Sequence, residues 1–126
     1  MRDRECKGRI LVADDEQVVR EILIRFFKDK GYVVREAANG RQALAKLEEE
    51  KPDVLLLDLK MPDIDGEDVL RHIKEKDIDV GVIIITGNPG YIKDQKLLTS
   101  AYDYIEKPFD LDYLNTTVLT KVMLLT

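Results

Sequence analysis

Apolar residues along this chain fall into two alternating patterns, short unbroken runs and stripes at helical spacing. The clearest run is Asp53-Val54-Leu55-Leu56-Leu57-Asp58-Leu59-Lys60-Met61-Pro62. Four apolar residues without polar alternation predict a strand buried on both faces. They lead straight into the carboxylate of Asp58, and Pro62 ends regular structure soon after. Asp58 is therefore expected at the C-terminal mouth of a central strand. Val80-Gly81-Val82-Ile83-Ile84-Ile85-Thr86 is a second such run, ending in a hydroxyl before the loop signal Gly87-Asn88-Pro89-Gly90. Arg9-Ile10-Leu11-Val12-Ala13 is a third, ending in Asp14-Asp15-Glu16. Tyr32 to Ala37 predicts a shorter strand. Tyr102-Asp103-Tyr104-Ile105-Glu106 alternates, as an edge strand with one solvated side does.

Between the strands the period changes to that of a helix. Residues 17–30 carry Val18, Val19, Ile22, Leu23 and Phe26 as a stripe expected to face the core, with Gly31 as the stop. Asn39-Gly40 opens a helix to about residue 50 that buries Ala43, Leu44 and Leu47. Asp65-Gly66 opens another with Val69, Leu70 and Ile73 inside. A short helix is expected over about 92–100, with Leu97 and Leu98 as its apolar pair. The last runs from Leu111 almost to the end and buries Leu111, Leu114, Val118 and Val122. Its Thr and Val content is poor for a helix, so packing must hold it.

Five strands joined through single helices must be parallel, with right-handed crossovers. The expectation is an α/β fold, a doubly wound five-stranded parallel sheet of the flavodoxin-like (βα)5 kind. The order 2-1-3-4-5 places the three most apolar strands in the middle.

Composition narrows the class. The 126 residues suit one domain, with residues 1–8 a charged lead. A net charge of −5 argues against direct nucleic-acid binding, because phosphates would be repelled. Cys6 is alone and cannot form an internal disulfide. No apolar run is long enough for a membrane span, and the lead has no apolar signal core. A cytoplasmic location is expected.

The strand order brings Asp14, Asp15 and Asp58 together at the switch point of the sheet. Each has an ordinary explanation: Asp58 as a helix cap, the three adjacent acids as first-turn residues. Adjacent carboxylates repel, however, and want a cation. Oxygen ligands without His or Cys select a hard ion, Mg2+ or, as a substitute, Mn2+. Thr86 and Lys107 arrive at the same rim from the fourth and fifth strands. A cation, an ammonium and a hydroxyl around a carboxylate can bind phosphoryl oxygens, and the carboxylate can be the nucleophile. His72, the only histidine, reads as a surface or boundary residue.

Asp14-Asp15, Asp58 with Met61-Pro62 and Asp65-Gly66, Thr86-Gly87, and Tyr104 ahead of Lys107-Pro108-Phe109 resemble a two-component response-regulator receiver domain from about Arg9 onward. The segment 101–109 is similar to receivers that precede ATPase-type transcription activators. The resemblance implies the same strand order, so that order is not independent of it. It implies Asp58 as phosphoacceptor and Asp14, Asp15, Asp58 and the Lys60 backbone carbonyl as the Mg2+ site. Lys107 and Thr86 would bind the phosphoryl group, Thr86 and Tyr104 would be the switch pair, and Pro108 would form the turn. Lys60 and Asn88 would tune dephosphorylation. The implied donor is a sensor histidine kinase or phosphotransfer protein. The implied output is a protein or domain reached through the fourth helix, fifth strand and fifth helix, with a homodimer forming on phosphorylation. On the last helix, Leu119, Met123 and Leu124 lie opposite or flank the buried stripe; they either form an exposed apolar patch that marks that face or extend the stripe. The domain would be a timed switch, not a metabolic enzyme. Two features depart from the family: 86–107 is about one residue short, and Ser100-Ala101 stands where Gly-Ala is common. Three other readings remain open here: a flavodoxin-like module for a phosphorylated cofactor, a hydrolase with an Asp nucleophile, and a degenerate receiver that only binds partners.

Overall fold

A computed structural model describes residues 6–87 and 94–124 of the chain. Its elements alternate strictly: β1 Arg9–Ala13, α1 Gln17–Asp29, β2 Val33–Ala37, α2 Gly40–Glu50, β3 Val54–Leu57, α3 Gly66–Glu75, β4 Gly81–Thr86, α4 Gln95–Leu98, β5 Asp103–Glu106 and α5 Leu111–Met123. All strand pairs are parallel and the order is β2-β1-β3-β4-β5. This is the expected doubly wound sheet.

Alternate residues of each central strand point to opposite faces, so an unbroken apolar run feeds two cores. Leu55, Leu57, Val82 and Ile84 meet α2 and α3 through Ala43, Leu47, Val69, Leu70 and Ile73, and α4 through Leu97. Val54, Leu56, Ile83 and Ile85 meet α1 and α5 through Leu23, Phe27, Leu114, Val118 and Val122. Side-chain caps start the helices on the first face: Asn39 accepts from the Gln42 amide at 2.8 Å, and Asp65 from the Asp68 amide at 3.2 Å. α5 begins the same way on Asp110.

The stripe expected to bury α1 is out of phase. Val18 and Ile22 are 66% and 48% exposed, while the fully buried residues are Leu23 and Phe27. Each exposed residue precedes a buried one by five positions, about 140° around the helix. Val19 and Phe26 pack at the margin. Leu111 and Leu44 are likewise marginal, and Thr117 joins the buried face of α5. The fourth helix was expected over 92–100. Residues 88–93, including Asn88, lie outside the described residues, and α4 itself ends at Leu98. Thr99 and Ser100 turn their hydroxyls back onto the Lys96 and Leu97 carbonyls at 2.7 and 2.6 Å, an alternative to continuing the helix.

Candidate functional site

In register, Ala13 of β1 lies beside Leu57 of β3. The next residue of each strand is an aspartate, so Asp14 and Asp58 leave the sheet side by side. The backbone fixes both. The Asp58 amide donates to the Ala13 carbonyl at 2.9 Å and the Asp14 amide to the Ala37 carbonyl at 3.1 Å. The two residues are only 3% and 5% exposed, whereas Asp15 and Glu16 stand in solvent. One carboxylate oxygen from each of Asp14, Asp15, Glu16 and Asp58 lies within 4.8 Å of all the others.

On the other side, Thr86 of β4 pairs with Glu106 of β5. The Lys107 amide then donates to the Thr86 carbonyl at 2.8 Å, which aims the lysine back over the sheet. Its ammonium contacts Asp14 Oδ2 at 2.9 Å, Glu16 Oε1 at 3.0 Å and Asp58 Oδ2 at 3.4 Å. Asp15, Glu16, Asp58, Lys60, Thr86, Gly87 and Lys107 line a cavity of about 380 Å³. Thr86 is buried. The Lys60 amide donates to Asp58 Oδ1 at 3.3 Å, while its side chain is exposed. Pro108 follows in an exposed turn, its bond to Lys107 cis.

Electrostatics here are unbalanced. Burial, reinforced by the Asp14 charge, raises Asp58 to a pKa of about 6 against the opposing pull of Lys107 and the Lys60 amide. Burial also raises Asp14, against hydrogen bonds from the Glu16 amide and Lys107. Burial alone would lower Lys107, but hydrogen bonds to Asp14 and Glu16 and the charges of Asp14 and Asp58 outweigh it and hold the ammonium protonated. Among the described residues, the Lys107 ammonium faces the carboxylates of Asp14, Glu16 and Asp58, with Asp15 beside them. A dense set of oxygen donors with surplus negative charge fits a hard divalent cation and suits Mg2+.

Asp14, Asp15, Asp58, Lys60, Thr86 and Lys107 thus meet at one rim. Glu16, in the sequence only part of an acidic run, joins them and shares the Lys107 ammonium with Asp14. The signal was present, since three acids in succession after a strand leave the third within reach of whatever cation the first two attract. Tyr104 does not touch this cluster. It is half-buried and packs against the core that contains Leu97, with its hydroxyl buried and without a hydrogen-bond partner among the described residues. His72 is half-buried on α3, away from the cluster. Leu119, Met123 and Leu124 are exposed, as are Tyr102 and Tyr113 nearby in sequence. Asp103 of β5 accepts from the Tyr113 hydroxyl at 3.2 Å and ties β5 to α5.

The family model described as "Response regulator receiver domain" matches residues 10–119. Sporulation initiation phosphotransferase F of Bacillus subtilis is 39% identical over 112 residues, covering 87% of this chain and 90% of that protein. Regulatory protein AtoC of Escherichia coli is 38% identical over 112 residues, covering 88% of this chain but only 24% of that protein. Among solved structures, the response regulator TrrA of Thermotoga maritima in complex with Mg2+-BeF superposes with a TM-score of 0.81 at 35% identity, covering 90% of this chain and 97% of that one.

Proposed function

The chain belongs to the response-regulator receiver family, and on that premise we propose that it is a phosphorylation-dependent signalling switch with Asp58 as its phosphoacceptor. Phosphorylation and Mg2+ binding are general properties of this family. The observation that carries the assignment to Asp58 is its position. It is a buried carboxylate beside Lys107 and three further acids, opening on a cavity that Thr86 also lines.

A carboxylate oxygen of Asp58 attacks the phosphorus of a phosphohistidine on a partner kinase or phosphotransfer protein. A P–O bond forms as the P–N bond breaks, and the imidazole leaves with the electron pair and takes up a proton. With a pKa near 6, Asp58 is mainly ionised at neutral pH and available as the nucleophile. Lys107 is placed to hold a phosphoryl oxygen, and positioning supplies most of the acceleration. Asp14, Asp15, Asp58 and the Lys60 carbonyl would hold Mg2+. When bound, the ion supplies positive charge opposite the phosphoryl oxygens.

The product is a mixed anhydride that water cleaves, so the state is temporary. The Lys60 side chain stands beside the path of that water and shields the phosphoryl group, and Asn88 is the second tuning position. The Thr86 hydroxyl engages a phosphoryl oxygen and Tyr104 responds, altering the surface of α4, β5 and α5. A partner protein, an output domain or a second copy then binds there. The chain spans most of one relative and about a quarter of another, so both a stand-alone relay protein and the input part of a longer regulator agree with this reading. A cytoplasmic location goes with it; no helix among the described residues is long and apolar enough to cross a membrane.

The test is direct. Acetyl phosphate with Mg2+ should add one phosphoryl mass to the intact protein, and Asp58→Asn should abolish the adduct. Stoichiometric labelling of that variant, or no labelling of the wild type by any donor or kinase, rejects the assignment.

A further inference from the structure

The loop between β3 and α3 carries Lys60, whose amide holds the Asp58 carboxylate at 3.3 Å. That loop is clamped from two sides by residues that cannot have a side chain. At Gly66, the first residue of α3, a Cβ would overlap the Asp58 carbonyl and come within 2.5 Å of Leu59 Cα. The Gly66 amide also donates to the Leu59 carbonyl at 2.7 Å. At Gly40, the first residue of α2, a Cβ would fall inside the Ile64 carbonyl group and 2.7 Å from Ile64 Cβ. The two helix starts therefore close on the loop from opposite ends.

A second tether lies beside Gly40. The Arg41 amide donates to Asp63 Oδ1 at 3.4 Å, and Arg41 Nε lies 3.8 Å from Asp63 Oδ2. Asp63 adopts a left-handed backbone with φ of 62°, a conformation that Asp tolerates better than most residues and Gly better still. The start of α2 is itself rigid. Asn39 caps the Gln42 amide, and the Gln42 side chain accepts from the Ala38 amide, each at 2.8 Å.

The geometry points to Gly40 as a positioning residue for the metal and phosphoryl site. It touches neither Asp58 nor any candidate ligand. Its bare Cα lets α2 press against Ile64 and hold the loop where the Lys60 backbone meets the Asp58 carboxylate. Any side chain at position 40 displaces the loop or α2, and Lys60 moves with the loop. This inference rests on the proposed Mg2+ site.

Mg2+ titrations of the metal-free full chain, followed by amide NMR well below each protein's melting temperature, test it. Supporting groups behind metal ligands change affinity by about 10–100-fold when altered, so Gly40→Ala should weaken Mg2+ binding about tenfold or more. The Lys60 and Gly66 amide resonances of that variant should already be displaced without metal. A lower melting temperature with unchanged Mg2+ affinity would show a packing role only and overturn the proposal. Asp63→Gly is the companion variant, since it keeps the backbone conformation easy while deleting both tethers to Arg41. It should weaken Mg2+ binding as well, by less. Should Gly40→Ala fail to fold, unchanged affinity in Asp63→Gly overturns the proposal by itself. Wild type that ignores millimolar Mg2+ refutes the site, and with it this inference, and is told apart from failure of the clamp by the wild-type titration alone.

Discussion

Replacing Asp58 by Asn should stabilise the metal-free protein at neutral pH and leave it unchanged in acid. Burial and the neighbouring Asp14 raise the Asp58 pKa from 3.8 to about 6. A raised carboxylate means that the folded protein binds a proton more tightly than the unfolded chain does. Stability therefore falls as pH rises through the interval between the two values, and ionised Asp58 is a net burden above it. The interval corresponds to about 3 kcal/mol at 1.36 kcal/mol for each pH unit. Asn is nearly isosteric with protonated Asp and can still accept from the Lys60 amide. The raised pKa is already the balance of burial and Asp14 against the attraction of Lys107, so the loss of that contact is contained in it and the expected gain is the full amount, about 3 kcal/mol. For a domain of this length that is roughly 10 °C in melting temperature.

The assay is thermal unfolding of wild type and Asp58→Asn in EDTA, at several pH values from 4 to 8. The melting temperatures should coincide near pH 4 and separate through pH 5–7, with the variant higher. Asp14, also raised by burial, bends both curves the same way and largely cancels in the difference. Because Asp14 and Asp58 interact, the midpoint of the separation belongs to the pair. Lys107, with its pKa raised, stays charged throughout this range. A variant that melts at or below the wild type at pH 7.5, or a gap that persists at pH 4, would refute this account of the cluster.

Two further outcomes follow from the same geometry. Mg2+ at ~100 times its dissociation constant should add about 2.7 kcal/mol by mass action and raise the melting temperature by several degrees, with Asp15→Asn blunting the rise; an equal rise in that variant would put the metal elsewhere. Thr86→Ala should still be phosphorylated yet fail to switch, because near-complete switching needs about 5.5 kcal/mol of preference for the active state and the lost hydroxyl forfeits part of it. Amide shifts over α4, β5 and α5 on adding beryllofluoride and Mg2+ should shrink in this variant, and shifts as large as those of the wild type would exclude Thr86 as the coupling residue.

What the sequence made legible follows from how strongly each feature is repeated along it. β3 and β4 announce themselves as unbroken apolar runs, and their ends place Asp58 and Thr86 without further help. Asp14 and Lys107 needed the strand order, because Lys107 lies 93 residues from its partner Asp14 and only β1 and β5 bring the two together. The phase of α1 was not legible. Val18 and Ile22 are as apolar as Leu23, and nothing local says which side the sheet will take. Glu16 reads as the last of three acids at a helix start, and it does sit at the N-cap of α1 in solvent; its contact with Lys107 is purely tertiary. Gly40 carried no chemical signal at all. A glycine after an asparagine reads as a turn, and the close approach of Ile64 exists only once α2 and the 58–66 loop are packed together.

Gly40, with Gly66, explains why, on the proposed function, a charge added at Asp58 would be felt on one side of the molecule and not the other. Toward α2 and α3 the rim is braced. Gly40 and Gly66 leave no room for the loop to move, Asn39 and Asp65 cap the helices, and both helices bury apolar residues in one core. Toward β5 the structure yields more easily. β5 is an edge strand of four residues, α4 has four residues among those described, and only Leu97 of α4 is fully buried. Tyr104 adds a buried hydroxyl that has no partner among the described residues, and an unpaired buried hydroxyl favours a rearrangement that returns it to water. Packed elements switch between discrete arrangements and do not deform smoothly. A new pull on Thr86, at the end of β4, therefore meets rigid packing behind Asp58 and marginal packing beside it. The displacement should pass to α4 and β5, and from β5 through Asp103 and Tyr113 to the face of α5 that carries Leu119 and Met123.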